Sequence, residues 1–364
     1  MVGSSGASAI RDSDRPNFPL VLTNSLVSYC YRAYGLEVES SSRIEALESV
    51  RIESAEPAIR LQQGPEPDWV QQLLRLPEKI IKRRLQPAED AEPSFVLTEL
   101  GHGQGFQLSY SDGARFVTNS EGTRVWGAYR PPMAPEEFAV YFLGPVMGFL
   151  LRRRHITCLH SSAVEIQGHA ICLCGEAGFG KSTTAAALAL RGLPVVAEDI
   201  VPLCESQHEF LSVPGYPRVC LWPESVQMLL GSEDALPLIT TGWEKRFLAL
   251  DGKRAQFARQ KLPLALIYVF GARTSELHSP RIEKLPAREA VLELVKNTYM
   301  NWVIGSNQRA TEFDFICRLV EQVSVRRVVP NEDPAKINGL CDLILRDAQA
   351  FLSSPKSSPE TIRQ

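Results

Sequence analysis

The chain of 364 residues contains no long apolar segment. Its most apolar stretch, at 138–151, is about 14 residues long and contains Pro145, whereas a helix that crosses a bilayer needs about 20 apolar residues. The first residues also lack the apolar run of a secretion signal. We therefore expect a cytoplasmic protein that does not engage a membrane.

An excess of charge of one sign is missing too. The sequence has 39 basic and 42 acidic residues, a formal net charge of −3. This balance excludes the broad positive field on which many nucleic-acid-binding proteins rely. Two short basic clusters, IKRRL at 81–85 and LRRRH at 151–155, are interpreted as solvated helix faces or helix ends. No nucleic-acid partner is expected.

Cysteine is present but lacks the spacing of a metal or disulfide framework. None of the eight cysteines forms a CxxC pair, and no histidine lies at zinc-finger spacing from one of them. Cys172 and Cys174 alternate along an apolar strand, where cysteine behaves as a small hydrophobic residue. This usage predicts reduced cysteines.

The chain divides into regions of different texture. Residues 1–15 and 353–364 are rich in small and polar residues and are predicted to be disordered. Residues 16–133 alternate strand patterns with one helical pattern at 68–85, interrupted by Pro77, which predicts an α+β accessory domain that recognises the substrate. Residues 134–352 begin with a helix at 134–155 and continue with strands and helices. This second region carries the chemistry.

The segment GEAGFGKS matches the phosphate-binding pattern G-x-x-x-x-G-K-[ST] at every fixed position. An apolar strand precedes it and an alanine-rich helix follows, so backbone N–H groups of the loop and the helix N-terminus would face phosphate oxygens. Lys181 would reach the β- and γ-phosphates and Ser182 would bind Mg²⁺. The predicted nucleotide-binding residues are Gly175, Glu176, Ala177, Gly178, Phe179, Gly180, Lys181, Ser182 and Thr183.

Two adjacent acids, Glu198 and Asp199, follow the helix of this loop on the next apolar strand. A right-handed crossover makes that strand parallel to the one before the loop. Its carboxyl end then lies at the edge of the sheet where ligands of open α/β sheets bind. Acids at this point can bind Mg²⁺ or accept the proton of an attacking hydroxyl, which favours phosphoryl transfer over a nucleotide-dependent switch.

Residues 159–202 resemble the catalytic core of the HPr serine kinase/phosphorylase family and, more distantly, that of phosphoenolpyruvate carboxykinases. His160 falls at the family's histidine, 175–182 at its phosphate loop, and Glu198-Asp199 at its pair of aspartates. The chain departs from the family in having Glu198 in place of the first aspartate and Ser161 in place of a glycine.

The resemblance implies an α/β fold with an HPr-kinase-like P-loop core and an ATP- and Mg²⁺-dependent serine kinase. The chain looks most like divergent members that phosphorylate a serine of a ribosomally made precursor peptide, so a serine-containing protein or peptide is the expected substrate. Glu198 would be the general base, Asp199 would help Ser182 to hold Mg²⁺, and His160 and Lys181 would lie near the transferred phosphate. The two acids could exchange these roles, and a homo-oligomer stays open.

Phosphoryl transfer also needs a cation that offsets the charge of the transition state. Arg218, Lys245 and Arg246, each near the start of a predicted strand, are the candidates. Two other functions stay open beside the serine kinase. One is a small-metabolite kinase, and the other is a nucleotide-binding regulatory protein that has lost its catalytic activity.

Overall fold

The computed structural model describes residues 28–53, 56–84, 93–240 and 242–354. Within these ranges the protein has a mixed α/β fold, in which the strands form two nine-stranded sheets and one two-stranded ribbon. The predicted disordered segment 1–15 lies outside the described residues. The predicted C-terminal tail begins at 353, where the last helix ends, and lies outside them from residue 355 onward.

The first sheet is built from consecutive strands that follow one another along the chain. They are β1 (Tyr29–Ala33), β2 (Leu36–Ser40), β3 (Arg51–Ile52), β4 (Ile59–Gln63), β5 (Glu78–Arg84), β6 (Phe95–Leu100), β7 (Gly105–Tyr110), β8 (Arg115–Asn119) and β9 (Arg124–Ala128). Their order across the sheet is β3-β1-β2-β4-β9-β8-β7-β6-β5. The strands predicted between 16 and 133 are therefore largely confirmed.

The helix predicted over 68–85 is wrong in its second half. Helix α1 (Asp68–Leu74) ends before Pro77, and the residues after the proline form strand β5 at the edge of the sheet. The apolar pair Ile80-Ile81 and the flanking bases are exposed there, so the basic cluster lies along a sheet edge rather than on a helix. Lysine and arginine are common on such edges because they discourage pairing with other chains.

The helix predicted at 134–155 is confirmed as a continuous helical segment with an irregular centre. Helix α2 (Pro135–Tyr141) passes through a π-helical turn at Phe142–Val146, where Pro145 cannot donate a backbone hydrogen bond, into helix α3 (Met147–Arg153). Its apolar face shares one core with the first sheet; Phe138 stacks on Phe116 with ring centroids 4.6 Å apart. The segment therefore packs with the first region, although the sequence places it at the start of the second.

The second basic cluster lies at a helix end, as predicted, with Arg153 and His155 exposed, but Arg152 is not solvated. The Arg152 side chain is fully buried and forms a two-point ion pair with Glu312, one contact being 2.8 Å from Nη2 to Oε1. Glu312 comes from α7, so this pair joins the end of α3 to the second region.

The second sheet takes its strands from the rest of the chain. They are β10 (Cys158–Leu159), β11 (Ser161–Ile166), β12 (His169–Gly175), β13 (Val195–Ala197), β14 (Val201–Ser206), β15 (Glu209–Ser212), β18 (Leu262–Phe270), β19 (Arg281–Lys284) and β20 (Ser324–Val329). Strands β16 (Arg218–Leu221) and β17 (Arg246–Ala249) form the separate ribbon.

Helices cover both faces of this sheet. They are α4 (Lys181–Leu190), α5 (Pro223–Leu230), α6 (Ala287–Lys296), α7 (Ser306–Gln322) and α8 (Ile337–Ser353). Alternate residues of β12 enter different cores: Ile171 and Leu173 face α4 and α8, whereas Cys172 and Cys174 face α6 and α7. All eight cysteines are free thiols. In the described part of the chain, no helix combines the length and the apolarity that crossing a membrane requires.

The direction of β13 places its carboxyl end beside the phosphate loop. β11 is antiparallel both to β12 and to β13, so β12 and β13 point the same way on either side of it. β18 lies parallel to β12 on the other side. The predicted parallel orientation of β13 is confirmed, and an intervening strand separates it from β12.

Candidate functional site

The loop between β12 and α4 is held by glycines in conformations that other residues rarely adopt. Gly175, Gly178 and Gly180 have φ angles of 143°, 84° and 96°. A Cβ on Gly175 would also lie 3.0 Å from the carbonyl oxygen of Phe270 on the adjacent strand. The sequence pattern of this loop therefore corresponds to a backbone that needs glycine at these positions.

Lys181 lies beneath this loop and is buried. Its Nζ donates hydrogen bonds to the carbonyl oxygens of Gly175, at 2.7 Å, and Glu176, at 3.0 Å. Burial lowers the pKa of Lys181, while the charges of Asp199 and Glu198 act in the opposite direction. The ammonium group is therefore fixed at the loop and has two acids within electrostatic range.

Residues 176–178 are exposed at the rim of the loop, and Phe179 is partly buried at its end. Thr183 follows Ser182 in the first turn of α4, and its hydroxyl lies 2.8 Å from the hydroxyl of Ser225 on α5. That these residues bind a nucleotide stays a prediction. The loop is open to solvent on the side where a nucleotide would approach.

Ser182 and Glu198 meet directly. The Ser182 Oγ donates a hydrogen bond of 2.7 Å to Glu198 Oε1, and Glu198 is only 6% exposed. Burial, and then the charge of neighbouring Asp199, raise the pKa of Glu198 above the ordinary value for a glutamate. The additional methylene of Glu198, compared with an aspartate, allows its carboxylate to reach the serine at the start of α4.

Asp199 occupies a tight turn directly after β13. Its φ angle is 65°, and the Ile200 N–H donates to the Glu198 carbonyl oxygen at 2.8 Å across it, which makes Asp199 the centre of a three-residue turn. A non-glycine residue in this conformation is strained, and such strain concentrates at functional sites. The turn directs two successive acids to different places, and the Asp199 side chain stays 43% exposed.

His160 is the partner of Asp199. Its Nδ1 lies 3.2 Å from Asp199 Oδ1 and 3.2 Å from the Asp199 carbonyl oxygen. Burial raises the pKa of Asp199, but the hydrogen bond and the charge of His160, together with nearby lysines, outweigh it and hold that pKa below its usual value. The pKa of Glu198 is therefore raised and that of Asp199 is lowered, although the two acids are adjacent in the chain.

Asn297, which sequence reasoning missed, connects the loop to His160. Its backbone carbonyl oxygen accepts a hydrogen bond from the backbone N–H of His160 at 2.7 Å. Its side-chain Oδ1 accepts one from the backbone N–H of Gly175 at 3.1 Å. Its Nδ2 donates to the Glu293 carbonyl oxygen within α6 at 2.8 Å. Asn297 is buried, and no local pattern marks it, because it is an isolated asparagine at a helix end.

The three candidate cations occupy different surroundings. Lys245 acts electrostatically on both Glu198 and Asp199, and its Nζ lies 4.7 Å from the centre of the Trp222 ring. Arg246 instead pairs with Asp234 and donates to the Leu236 carbonyl oxygen at 2.8 Å. Arg218 stacks its guanidinium 3.9 Å from the centre of the Phe247 ring. Lys245 is therefore the candidate whose charge lowers the pKa of both acids. Arg246 instead binds groups of the segment at 234–236.

The first region also reaches this site, through the turn between β1 and β2. The Tyr34 N–H donates to the Gly215 carbonyl oxygen at 3.3 Å, and Gly215 lies directly against Ala197, where a Cβ would approach to 3.1 Å. The Tyr34 hydroxyl donates to the Leu143 carbonyl oxygen at 2.8 Å. Burial raises the pKa of Tyr34, and the charge of Asp199 raises it further. The accessory sheet therefore forms part of the wall of the site.

Oxygen ligands for a magnesium ion are available where Ser182 and Glu198 meet. Mg²⁺ prefers oxygen ligands, and it is commonly held by one or two protein carboxylates together with substrate phosphates and water. Among the described residues there is no group of three or more histidine, cysteine or acidic side chains that would form a complete metal site. The serine hydroxyl and the adjacent carboxylate fit an ion whose remaining ligands come from a bound nucleotide.

Comparisons with known proteins give little beyond the geometry. No family model matches the sequence, and no curated protein matches it. Among the solved structures that match is the HPr(Ser) kinase/phosphatase from Coxiella burnetii, at 14% identity and a TM-score of 0.31. The match covers 54% of this chain and 92% of that one. A TM-score at this level carries no argument, so the function must be argued from the site.

Proposed function

We propose that this protein is a kinase that transfers the γ-phosphoryl group of ATP to a serine hydroxyl of a protein or peptide, with Mg²⁺ as cofactor. The observation that carries the proposal is the 2.7 Å hydrogen bond from Ser182, at the end of the phosphate loop, to Glu198. It brings an acidic pair and its histidine to the N-terminus of the helix on which phosphates would lie.

The two acids take different roles in this proposal. Glu198 is buried and bonded to Ser182, so these two residues would hold the magnesium ion, which offsets negative charge on the phosphates when it is bound. Asp199 is the more exposed acid, and His160 orients its carboxylate, so Asp199 would act as the general base. This assignment exchanges the roles that the family resemblance implies.

The transfer then follows from the positions of these side chains. Asp199 accepts the proton of the hydroxyl of the substrate's serine as the oxygen of that serine forms a bond to the γ-phosphorus. The bond from the γ-phosphorus to the β–γ bridging oxygen breaks. ADP leaves with that oxygen. The backbone N–H groups of the loop and Lys181 stabilise charge on the β- and γ-phosphates, and Lys245 supplies a second cation on the side of the acids. Little covalent chemistry is required of the protein beyond positioning and electrostatic stabilisation.

A macromolecular acceptor is favoured by the way the first sheet forms one wall of the site. A hairpin turn of that sheet, at Tyr34, packs against the strand that carries the acids. An accessory sheet of this size offers a surface beside the reacting groups, which a small metabolite does not need. The acceptor is therefore proposed to be a protein or peptide.

Labelled ATP tests the proposal. The protein is incubated with γ-labelled ATP and Mg²⁺ in the presence of a panel of serine-containing peptides, free serine or shikimate. We expect label on a peptide serine, and none with Lys181→Ala or Asp199→Asn. Label on free serine or shikimate alone would assign a small-metabolite kinase. ATP binding without transfer to any acceptor, unchanged in Asp199→Asn, would favour a regulatory protein and contradict the kinase.

A further inference from the structure

A cleft lies across the start of α4 from the acids. Ser182 points to Glu198, whereas Gly180, Thr183 and Thr184 line a cleft on the other side of the helix. Helix residues three and four positions apart lie on one face, so these three residues form one wall. Anything bound over the phosphate loop could extend from this cleft to the acids.

One wall of the cleft contains a buried hydroxyl that lacks a partner. Thr184 is 1% exposed, and its Oγ1 has no hydrogen-bond partner among the described residues. Burying a hydroxyl without a partner is unfavourable, and each such group calls for an explanation. A ligand atom in the cleft would explain it.

Arg273 lies at the mouth of the same cleft. It follows β18, at the carboxyl edge next to β12, and its guanidinium lies 3.1 Å from the point where a Cβ on Gly180 would stand. It is exposed and forms no ion pair with any described residue. A planar guanidinium stacks well on aromatic rings. The cleft therefore has a cation beside the phosphate loop that forms no ion pair with the described part of the chain.

The opposite wall combines apolar and polar side chains and is attached to the segment that carries Arg273. Met228, Ile337 and Leu340 line it, together with residues of the loop at 330–336. That loop is bound to Thr274: the Thr274 N–H donates to the Pro330 carbonyl oxygen at 3.1 Å, and the Glu332 N–H donates to the Thr274 carbonyl oxygen at 3.0 Å. These two bonds attach the loop at 330–336 to the segment that carries Arg273.

We infer that this cleft binds the nucleoside of the nucleotide, with Arg273 stacked on the base and the Thr184 hydroxyl hydrogen-bonded to the nucleoside. A cleft in which apolar side chains such as Met228, Ile337 and Leu340 stand beside polar groups that fix orientation is the usual chemistry of a small-molecule site. The inference rests on the proposed function and deepens it, because it orients the nucleotide. The nucleoside lies on the Arg273 side of α4, and the γ-phosphate on the side of Glu198 and Asp199.

Binding of ATP and of inorganic tripolyphosphate to the full chain separates the two halves of this site. Wild-type protein should bind ATP more tightly than tripolyphosphate. Arg273→Ala should weaken ATP binding by about tenfold and tripolyphosphate binding by less than about twofold, because the arginine contacts the base. Arg288→Ala, which removes an exposed arginine from the first turn of α6, is the matched control and should change neither.

Thr184→Val tests the hydroxyl without changing the shape of the side chain. It should weaken ATP binding about three- to tenfold, the effect of one lost hydrogen bond. The melting temperature without nucleotide should not fall, because the variant removes an unsatisfied buried group. Thr184→Ser keeps a hydroxyl and should retain more ATP affinity than the valine variant.

Three results would overturn the inference, and they are distinguishable. Equal losses of ATP and tripolyphosphate affinity in Arg273→Ala, or unchanged ATP affinity in both Arg273→Ala and Thr184→Val, would exclude the nucleoside from this cleft and leave the kinase intact. Failure of the wild-type protein to bind ATP at all would overturn the cleft and the proposed function together.

Discussion

The two nine-stranded sheets bury very different side chains. In the described residues of the first region, up to 133, no charged side chain is buried, and apart from tyrosine and tryptophan the buried polar side chains are those of Ser40, Thr98 and Thr118. The second region buries Lys181 and Glu198 at one edge of its sheet. Because a buried charge is costly unless it is compensated, the difference supports the proposal that the reaction takes place at this edge.

Not every buried charge belongs to that edge. Arg152 and Glu312 are also buried, but each satisfies the other in a two-point ion pair that joins α3 to α7. The acids at the phosphate loop are arranged otherwise, since two like charges are adjacent and the pKa of one is raised while that of the other is lowered. A satisfied pair indicates architecture, whereas acids driven apart in pKa indicate acid–base chemistry.

The largest expected effect lies at the edge with the acids. Asp199→Asn keeps the shape of the side chain but cannot accept a proton, so we expect phosphotransfer to fall by about 10²–10⁴-fold. ATP affinity and melting temperature should stay close to those of the wild type. Initial rates with labelled ATP, compared with equilibrium ATP binding, measure the two effects separately.

An aspartate of the first region provides the control for this variant. Asp112 hydrogen-bonds to Tyr141 on the first sheet's side of the molecule and touches no group of the site. Asp112→Asn should leave the transfer rate unchanged within about twofold. Equal losses of transfer rate in Asp199→Asn and Asp112→Asn would contradict a specific role of Asp199 in the reaction.

The architectural pair gives the largest expected effect on stability. Arg152→Ala leaves Glu312 as an unpaired buried acid, so we expect the free energy of unfolding to fall by about 3–5 kcal/mol. Chemical denaturation followed by circular dichroism measures this loss. The double variant Arg152→Met with Glu312→Leu should recover most of it, because neither charge then stays buried alone. A double variant as unstable as the single one would contradict a simple pairing role.

The sequence was sufficient for the parts of the site that are local in the chain. The glycines and Lys181 follow a fixed spacing, and the crossover rule predicted the direction of β13, so the approach of the acids to the loop could be expected. It did not reveal that Glu198, rather than Asp199, faces Ser182, because this depends on the φ angle of 65° at Asp199. Periodicity alone could not predict the turn.

Contacts between distant segments were beyond sequence reasoning. Asn297 reaches Gly175 across 122 positions of the chain, and Arg152 reaches Glu312 across 160. Nothing local distinguishes Arg152 from its basic neighbours, so it was interpreted with them as solvated. For the same reason Ile80-Ile81 was assigned to a helix, because a pair of apolar residues fits both periodicities and the neighbouring strand β6 decides between them.

A smaller effect is expected from the buried acid itself. Because the folded-state pKa of Glu198 is raised, its contribution to stability is fully present below the ordinary value of 4.5 and is lost as pH rises through the raised value. Glu198→Gln removes this titration. The variant should therefore be more stable than the wild type at pH 8, by about 1–3 kcal/mol, and the advantage should shrink toward pH 5.

Melting temperatures across pH 5–8 measure the difference between these two proteins. Glu121→Gln, which changes an exposed glutamate of the first region, should run parallel to the wild type throughout. If the melting temperature of Glu198→Gln also follows that of the wild type at every pH, Glu198 does not titrate as a buried acid. The two regions would then differ in where acids lie but not in the stability cost of burying them.

The smallest expected effect concerns the turn through which the first region contacts the site. Tyr34→Phe removes the hydrogen bond to the Leu143 carbonyl oxygen and should cost about 1 kcal/mol of unfolding free energy. Tyr129→Phe is the control, since the hydroxyl of this half-buried tyrosine makes no hydrogen bond with the described residues, and it should cost less. If Tyr34 holds the acidic turn, Tyr34→Phe should also change the KM for the peptide acceptor or kcat by a few-fold, whereas Tyr129→Phe should change neither. A loss of stability with unaltered KM and kcat would limit Tyr34 to a structural role. The first sheet would then contact the second region without contributing to the proposed active site.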